Sequence, residues 1–204
     1  MSETPDMALV ERCQAGDEEA FCTLAVRYRD RVYNFIYHSV RNPATAEDLA
    51  QDVLVKAYMG IQRFDRRASF QTWVFRIAHN RIIDHNRRQK RRKPVQALSL
   101  DATLGEDRDG EIEVPDLRTE PVRQLEEEEL EARIRLAVSA LSEKLRTVVL
   151  LFDVEGLSYQ EIAGTLHCPV GTVKSRLFNA RSELKRKLAR YLAPDDGTLG
   201  GGLT

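Results

Sequence analysis

Apolar residues recur three and four positions apart through most of this chain, and two stretches of this helical spacing are separate from each other. The first covers residues 7–93 and has few of the alternating runs that are typical of strands. The second covers residues 126–192. Residues 94–125 lack apolar periodicity and contain three prolines and two glycines, and residues 193–204 are Gly-rich. The pattern predicts an all-α fold of two small helical domains, joined by a flexible linker over 94–125 and followed by a mobile tail over 193–204.

In the first domain, a turn signal at Asn42-Pro43 separates two helices. Thr45 offers a cap for the second helix, with Asp48 at the third position after it. The apolar positions are Ala20, Phe21, Leu24, Ala25, Tyr28, Val32, Phe35 and Ile36 before the turn, and Leu49, Val53 and Ala57 after it. The opposite side of the second helix carries Glu47, Asp48, Gln51 and Asp52. That acidic side is either a solvated surface, favourable near a helix N-terminus, or a face that docks on another protein.

A longer helix follows, over about residues 70–91. Its apolar stripe consists of Phe70, Trp73, Val74 and Ile77, and most of its other positions are polar or basic. Trp73 is the only tryptophan of the chain, and two roles are open to it. An aromatic ring can stack on an unpaired base, but the spacing of Trp73 with Phe70 and Ile77 favours packing in the core.

The second domain opens with a helix from about Glu126. Its apolar face is predicted to comprise Leu130, Ile134, Ala137, Val138 and Leu141. Ser142 then begins another helix, which runs from Leu145 onward.

The stretch from Leu157 to Arg181 predicts a helix-turn-helix. Ser158 and Glu161 have the spacing of a capping box, and Pro169 disfavours helix at the residue before it while suiting the first turn of a new one. In the second helix the apolar positions are Val170, Val173 and Leu177, and the positions on its other faces are Lys174, Ser175, Arg176, Phe178, Asn179 and Arg181. A basic and amide-rich outer face is typical of a helix that reads a DNA groove. The pattern alone also permits a helical hairpin with a solvated basic face.

Charge is distributed unevenly, although the net charge is only -1. Basic residues cluster in two places, at Arg76, Arg81, Arg87, Arg88, Lys90, Arg91, Arg92 and Lys93, and at Lys174, Arg176, Arg181, Lys185, Arg186, Lys187 and Arg190. Acidic residues fill the interval from Asp101 to Glu131. This asymmetry indicates two modules that face nucleic acid and an acidic segment between them.

Several other classes of protein are disfavoured. The cysteines Cys13, Cys22 and Cys168 are odd in number and lack C-x-x-C spacing, which indicates neither a disulfide framework nor a zinc site. No apolar run approaches the roughly 20 residues of a membrane span, and the N-terminus lacks a secretory pattern, so a cytoplasmic protein is expected. Asp153 and Glu155 have no partner at metal-ligand spacing. We therefore expect no cofactor, no metal and no catalytic activity.

Three segments in order resemble one family. They are DLAQDVLVKAY (48–58), FDRRASFQTWVFRIAHNRIIDHNRRQKRR (64–92) and LSYQEIAGTLHCPVGTVKSRLFNARSELKRKL (157–188). With them the chain resembles the group IV, or extracytoplasmic-function, sigma factors of bacterial RNA polymerase. The resemblance implies a sigma-2 domain at 7–93 and a helix-turn-helix sigma-4 domain at 126–192, joined by the linker over 94–125.

The resemblance also implies roles for individual residues. Contacts to the polymerase are expected from Asp48, Gln51, Asp52 and Lys56. Recognition of the -10 element is expected from Asn80, with Arg76, His79, Arg81, Arg87 and Arg88 beside it, and the loop 64–69 would help to capture an unstacked base. Recognition of the -35 element is expected from Lys174, Ser175, Arg176, Phe178 and Asn179, with Arg181 on the phosphates. Several relatives have a basic residue where this chain has Asn179, which puts their -35 preference in doubt here.

The function that the resemblance implies is that of an alternative sigma factor. Such a protein binds the polymerase core, through the β′ clamp helices and the β flap, and directs initiation at promoters in a stress or signal response. The expected partners are the core enzyme, promoter DNA and a cognate anti-sigma factor. The linker is either a solvated tether or a segment that passes through the basic channel of the polymerase. The other function considered is that of a stand-alone helix-turn-helix regulator, which has no need of the 48–92 segment.

Overall fold

The computed structural model describes residues 4–92 and 123–192, and these residues form helices and no strand. The first unit contains α1 (Asp6–Gln14), α2 (Glu18–Val40), α3 (Pro43–Gly60), a 3-10 turn (Ile61–Arg63) and α4 (Phe70–Arg92). The second unit contains α5 (Arg123–Ser139), α6 (Glu143–Val149), a π-helical turn (Leu150–Val154), α7 (Tyr159–Leu166) and α8 (Val170–Leu192). The all-α prediction is confirmed. Residues 94–122 of the predicted linker and the predicted tail lie outside the described residues.

The start of α3 corrects one detail of the sequence analysis. Thr45 does not cap this helix, because the side chain of Asn42 accepts the backbone N–H of Thr45 at 2.9 Å and the helix begins at Pro43. Proline suits the first helical position, since its fixed φ matches the helix and its missing N–H would have no partner there. An asparagine before a proline therefore starts the helix three residues earlier than predicted.

The first unit is built around a core from all four of its helices. The predicted faces of α2 and α3 point inward, with Leu24, Val32, Val53 and Ala57 fully buried. From α4 the core receives Phe70, Val74, Ala78 and Ile82, and also Phe75, which the predicted stripe omitted. Phe75 meets Phe35 of α2 edge to face, with ring centroids 5.3 Å apart. α4 buries a wider sector than the predicted stripe because both α2 and α3 pack against it.

In the second unit, α8 packs against α5, α6 and α7. Ala137 and Leu141 are buried as predicted, but Leu130 and Ile134 are 44% and 41% exposed. The prediction that Leu130 and Ile134 lie on the buried face is therefore wrong. The spacing of these two residues is helical, but they lie on a part of the surface that remains open to solvent.

The two units contact each other in the described structure. α4 packs against α7, and the buried apolar residues of both units form one cluster. Backbone carbonyls near the ends of α2 and α5 also accept arginine side chains across the junction, since Arg146 donates to the oxygen of His38 and Arg41 to that of Ser139. Sequence periodicity predicted the two units and gave no indication of this contact.

Candidate nucleic-acid and polymerase interfaces

The second helix of the helix-turn-helix is α8, and its local geometry follows the sequence closely. Ser158 and Glu161 form a capping box at the start of α7, with the Ser158 Oγ accepting the Glu161 N–H at 3.3 Å and the Glu161 carboxylate accepting the Ser158 N–H at 2.9 Å. α7 ends at His167, which has a left-handed φ of 49°. Pro169 precedes α8, and its carbonyl oxygen accepts the N–H groups of Thr172 and Val173 in the first turn of that helix. The turn between the helices is thus fixed by local chemistry at both of its ends.

α8 turns its apolar residues inward and its polar residues outward. Val173 and Leu177 are buried, whereas Phe178 is 73% exposed although it is aromatic. Of the six residues expected at the -35 element, Lys174, Ser175, Phe178, Asn179 and Arg181 are exposed and Arg176 is half-buried. An exposed aromatic ring between basic and amide side chains suits contact with base edges, where a thymine methyl group is an apolar target.

α4 carries the residues expected at the -10 element. Asn80, Arg87 and Arg88 are exposed, and Arg76 and His79 are half-buried. Burial, together with the smaller effects of His167 and Arg176 nearby, lowers the pKa of His79 to about 4. The imidazole is therefore neutral at pH 7, and it faces the second unit.

Arg81 differs from the other basic residues of α4. Its guanidinium forms an ion pair with the carboxylate of Asp52, and only 12% of its side chain is exposed. The sequence analysis had placed Arg81 at the -10 element and Asp52 at the polymerase. The structure brings these two expected sites into direct contact.

The segment before α4 is organised by aromatic packing. The ring of Trp73 contacts Phe64 and Phe70, with centroid distances of 4.9 and 5.8 Å. A Cβ atom at Gly60 would lie 3.1 Å from Trp73 Cζ2, so glycine makes room for the indole. The half-buried Trp73 belongs to the edge of the core, as its spacing favoured.

The acidic side of α3 is open to solvent. Asp48, Gln51, Asp52 and Lys56 are all exposed. Beside them lie apolar side chains that the sequence analysis did not single out, since Val55 is 55% and Met59 is 76% exposed. Val55 and Met59 lie three or four residues from Gln51, Asp52 and Lys56, which places them on the same face of the helix. That spacing was the signal available in the sequence.

Glu161 connects the helix-turn-helix to the start of α4. Its carboxylate accepts hydrogen bonds from the hydroxyl groups of Thr72 at 2.7 Å and Ser69 at 3.2 Å, in addition to its role in the capping box. Burial opposes ionisation of Glu161, but the hydrogen bonds from Thr72 and Ser158 outweigh it and leave its pKa below the usual value. In this arrangement Glu161 covers the end of the loop 64–69.

Glu155 forms another polar contact between the units. Its carboxylate pairs with Arg31 of α2 at 2.7 Å, and only 5% of its side chain is exposed. Burial raises the pKa of Glu155, and the Arg31 charge acts in the opposite direction. The backbone oxygen of Glu155 also accepts a hydrogen bond from Gln71 of α4. Glu155, which the sequence analysis considered only as a catalytic candidate, is a structural residue of the contact.

Neither a metal centre nor a membrane helix is found in residues 4–92 and 123–192. No group of three or more His, Cys, Asp or Glu side chains there could hold a metal ion. No described helix has both the length and the apolar character needed to cross a membrane. Cys13 is buried, Cys22 is exposed and Cys168 is half-buried, and all three are free thiols.

Two family models match the chain, one in each unit. The model described as "Sigma-70 region 2" matches residues 24–92, and the model described as "Sigma-70, region 4" matches residues 131–184. The RNA polymerase sigma-H factor of Pseudomonas aeruginosa is 36% identical over 94% of this chain and 98% of its own length. The ECF RNA polymerase sigma-E factor of Escherichia coli K12 is 35% identical over 90% of this chain and 94% of its own.

Solved structures share the fold at lower identity. The chain aligns with CnrH, solved in complex with the cytosolic domain of CnrY, with a TM-score of 0.62 and 23% identity, over 91% of this chain and 97% of the other. It aligns with RpoE of Bartonella quintana, solved with the anti-sigma factor NepR, with a TM-score of 0.61 and 22% identity, over 83% and 96% of the two chains. These likenesses show that the arrangement of helices is one that solved structures also contain.

Proposed function

The chain belongs to the extracytoplasmic-function sigma factors of the sigma-70 family, and we propose that it binds the RNA polymerase core and directs initiation at promoters that it reads through their -10 and -35 elements. The observation that carries this proposal is that a single chain presents basic and amide side chains outward on both α4 and α8. A stand-alone helix-turn-helix regulator is disfavoured, because the first unit matches sigma-70 region 2 over residues 24–92.

We assign the -35 element to α8. Exposed Lys174, Ser175 and Asn179 are available for hydrogen bonds to base edges, and Phe178 for an apolar contact. Arg181 lies farther along the helix and contacts phosphates in this assignment. Phosphate contacts fix the position of the helix, while contacts to base edges supply the sequence preference.

We assign the -10 element to α4 and to the loop that precedes it. The amide of the exposed Asn80 can donate to and accept from the edge of a base that has left the duplex. Arg87 and Arg88 are exposed two turns farther along and contact phosphates. The role of the chain is then to supply two DNA-reading surfaces to the core, with no bond chemistry of its own.

We assign polymerase docking to the exposed side of α3, where Asp48, Gln51, Asp52 and Lys56 surround Val55. A polar surface with one or two apolar side chains is typical of the contact between non-obligate partners. Because Asp52 also holds Arg81, docking at α3 and DNA contact at α4 share an ion pair.

A cognate anti-sigma factor and a cytoplasmic location complete the proposal. CnrH and RpoE, whose fold the chain shares, were solved with CnrY and the anti-sigma factor NepR. Glu161 holds Ser69 and Thr72, at the end of the loop assigned to capture of a -10 base. In this proposal, reading of the -10 element requires the two units to move apart. A partner that holds the units together would keep the sigma factor inactive.

Run-off transcription with purified polymerase core on a promoter library tests the function directly. We expect transcripts from a subset of promoters that share a -10 and a -35 sequence, and only when both the chain and the core are present. DNA binding without the core, and no transcripts with it, would favour a stand-alone regulator.

Asn80→Ala tests the assignment of the -10 reader. We expect about a tenfold loss of open-complex formation, because one good amide–base contact contributes about 1–3 kcal/mol. Core binding, measured by co-purification, should be unchanged. Asn34 is another exposed asparagine, on α2, and Asn34→Ala is the matched control. Loss of core binding in Asn80→Ala would refute the assignment.

A further inference from the structure

Two cations of α8 lie over aromatic rings. Lys174 and Arg181 are seven residues apart, which places them on the same side of the helix two turns from each other. The Nζ atom of Lys174 lies 5.8 Å from the centroid of the Tyr159 ring, and the Cζ atom of Arg181 lies 5.3 Å from the centroid of the Phe152 ring. Both distances are in the range of a cation–π contact.

The two rings are themselves stacked. Phe152 and Tyr159 have centroids 4.9 Å apart and planes inclined by only 10°. Phe152 comes from the π-helical turn and Tyr159 is the first residue of α7, so the pair forms across the capping-box loop. Both rings are half-buried and pack against the core. The fold therefore fixes the position of both rings, with Tyr159 in contact with Lys174 and Phe152 in contact with Arg181.

The groups around Arg181 and Lys174 leave both cations able to bind a further ligand. Asp153 pairs with Arg181 at 2.5 Å, which engages one edge of the guanidinium while the ring of Phe152 lies against it. A guanidinium has five N–H donors in a fork, so one such pair leaves others available. Tyr159, Lys174, Phe178, Arg181 and Lys185 line a shallow depression on this side of α8. The depression adjoins the residues assigned to the -35 element.

We propose that Phe152 and Tyr159 are positioning residues for DNA recognition, with Phe152 aligning Arg181 and Tyr159 aligning Lys174. The inference rests on the proposed function, and it adds two residues that touch no DNA themselves. Long basic side chains lose rotamer freedom when they bind, and a ring that already restricts them reduces that loss. The stacked pair, termed here the aromatic pair, restricts the rotamers of both cations in the free protein, before the DNA duplex binds.

The two members of the aromatic pair have different effects. Arg181 contacts phosphate in the assignment above, so Phe152 governs affinity for any duplex and the number of counterions released. Lys174 contacts base edges, so Tyr159 governs the preference for the -35 sequence over another sequence. A general loss of structure would not divide the two properties in this manner.

The experiment uses holoenzyme reconstituted from the full chain and polymerase core. The probes are a labelled duplex with the -35 sequence selected by the wild-type holoenzyme and a duplex with that sequence scrambled, each titrated by fluorescence anisotropy over a series of salt concentrations. Phe152→Leu should weaken binding to both duplexes by roughly two- to fivefold, the range of an exposed cation–π contact, with a salt slope smaller by about 1. Tyr159→Leu should lower the ratio of the two affinities by roughly two- to fivefold and leave the salt slope unchanged.

Matched variants separate positioning from folding. Phe152→Tyr and Tyr159→Phe keep an aromatic ring and should bind like the wild type. Tyr33 and Tyr37 of α2 form another stacked pair, with centroids 5.9 Å apart, so Tyr33→Leu controls for loss of a stacked ring. In a Lys174→Met background, Tyr159→Leu should have no further effect, because the cation that it aligns is absent.

Wild-type behaviour of both leucine variants would overturn the inference, and so would an equal effect of Tyr159→Leu with and without Lys174. If the wild-type holoenzyme failed to distinguish the two duplexes, the proposed function itself would be wrong. The two failures are therefore distinguishable.

Discussion

Asn179 is the residue of α8 for which the proposed -35 contact gives the most specific expectation. Its side chain is exposed, next to Phe178 on the outward side of the helix. An amide forms a paired hydrogen bond with the N6 and N7 positions of adenine, whereas a guanidinium matches the O6 and N7 acceptors of guanine. If Asn179 reads a base edge as proposed, we expect it to favour adenine at one position of the -35 element.

Asn179→Arg should move that preference from adenine to guanine. We expect the ratio of the two affinities to change by roughly 5- to 150-fold, since one good paired contact discriminates by about 1–3 kcal/mol. The measurement is holoenzyme binding to duplexes that differ at single -35 positions. Asn34→Arg, which adds the same charge on α2, should raise affinity without changing the preference. An unchanged base preference in Asn179→Arg would exclude Asn179 from base reading.

Arg81 is expected to contact DNA, and in the fold it also pairs with a carboxylate of another helix. The family resemblance implies a place for Arg81 at the -10 element, but its guanidinium pairs with Asp52 and only a small part of its side chain is exposed. This pairing joins α3 to α4, and nothing in the local pattern around either residue indicates it.

The capping box of α7 is the element whose local chemistry is most completely specified. Ser158 and Glu161 satisfy each other's backbone N–H groups, and Glu161 also holds Thr72 of α4. By contrast, Ser142 precedes α6 without a side-chain capping bond. Two N-cap serines in the same unit thus differ in whether their hydroxyl group caps the helix.

Ser158→Ala should destabilise the chain by about 1 kcal/mol, the usual cost of removing an N-cap hydroxyl that is hydrogen-bonded. Ser142→Ala is the matched control, and we expect its effect to stay within about 0.5 kcal/mol, as for surface substitutions elsewhere. Thermal unfolding followed by circular dichroism measures both. Equal shifts of the two midpoints would show that the capping bond of Ser158 contributes nothing specific.

The π-helical turn at Leu150–Val154 is an element that the periodicity did not predict. It directs Leu150 and Leu151 into the core while Phe152 reaches Tyr159 and Asp153 reaches Arg181. A widened turn inside a helix places consecutive side chains differently from an α-helix, and such turns are frequent at functional sites.

At the scale of the whole molecule, the contact between the units contains a group that titrates in an accessible range. His79 of α4 is half-buried, and its burial and the charges of His167 and Arg176 lower its pKa to about 4. When the units separate, the pKa of His79 returns toward 6.5, so the open form takes up a proton between pH 6.5 and 4 that the closed form does not. The contribution of His79 to the stability of the contact is thus fully present above pH 6.5 and is lost as the pH falls toward 4.

We expect His79 to contribute on the order of 1–2 kcal/mol to the free energy that holds the two units together above pH 6.5. Each pKa unit corresponds to about 1.4 kcal/mol, and the contribution is reduced because the ring is partly solvated. The measurement is the radius of gyration of the full chain by small-angle scattering from pH 7 to pH 4.5, for the wild type and for His79→Gln. The wild type should expand more on acidification. Glu155 and Glu161 also titrate at the contact, but they do so in both proteins. Identical expansion would mean that His79 has no part in closure, provided that circular dichroism shows equal helical content.

Much of this molecule follows from local sequence. The helical spacing, the capping box at Ser158 and the turn at Pro169 act over four residues or fewer, and they correctly predicted the helices and the start of α7. Family resemblance then gave candidate residues for each interface, and the structure places most of them on exposed positions of α3, α4 and α8. Thr45, Leu130 and Ile134 were misjudged. Asn42 caps α3 in place of Thr45. Helical spacing does not indicate which positions of α5 are covered by other helices.

The sequence by itself determined the all-α fold, its two helical units and the outward basic faces, because backbone hydrogen bonding and apolar periodicity are local properties. Only the tertiary structure decided which distant groups meet: Glu155 with Arg31, Glu161 with Thr72, Arg81 with Asp52, and Phe152 with Tyr159 and Arg181. Contacts of this kind depend on how helices pack against each other. That packing is set by the shape of buried surfaces from several elements at once, and no short segment of sequence contains it.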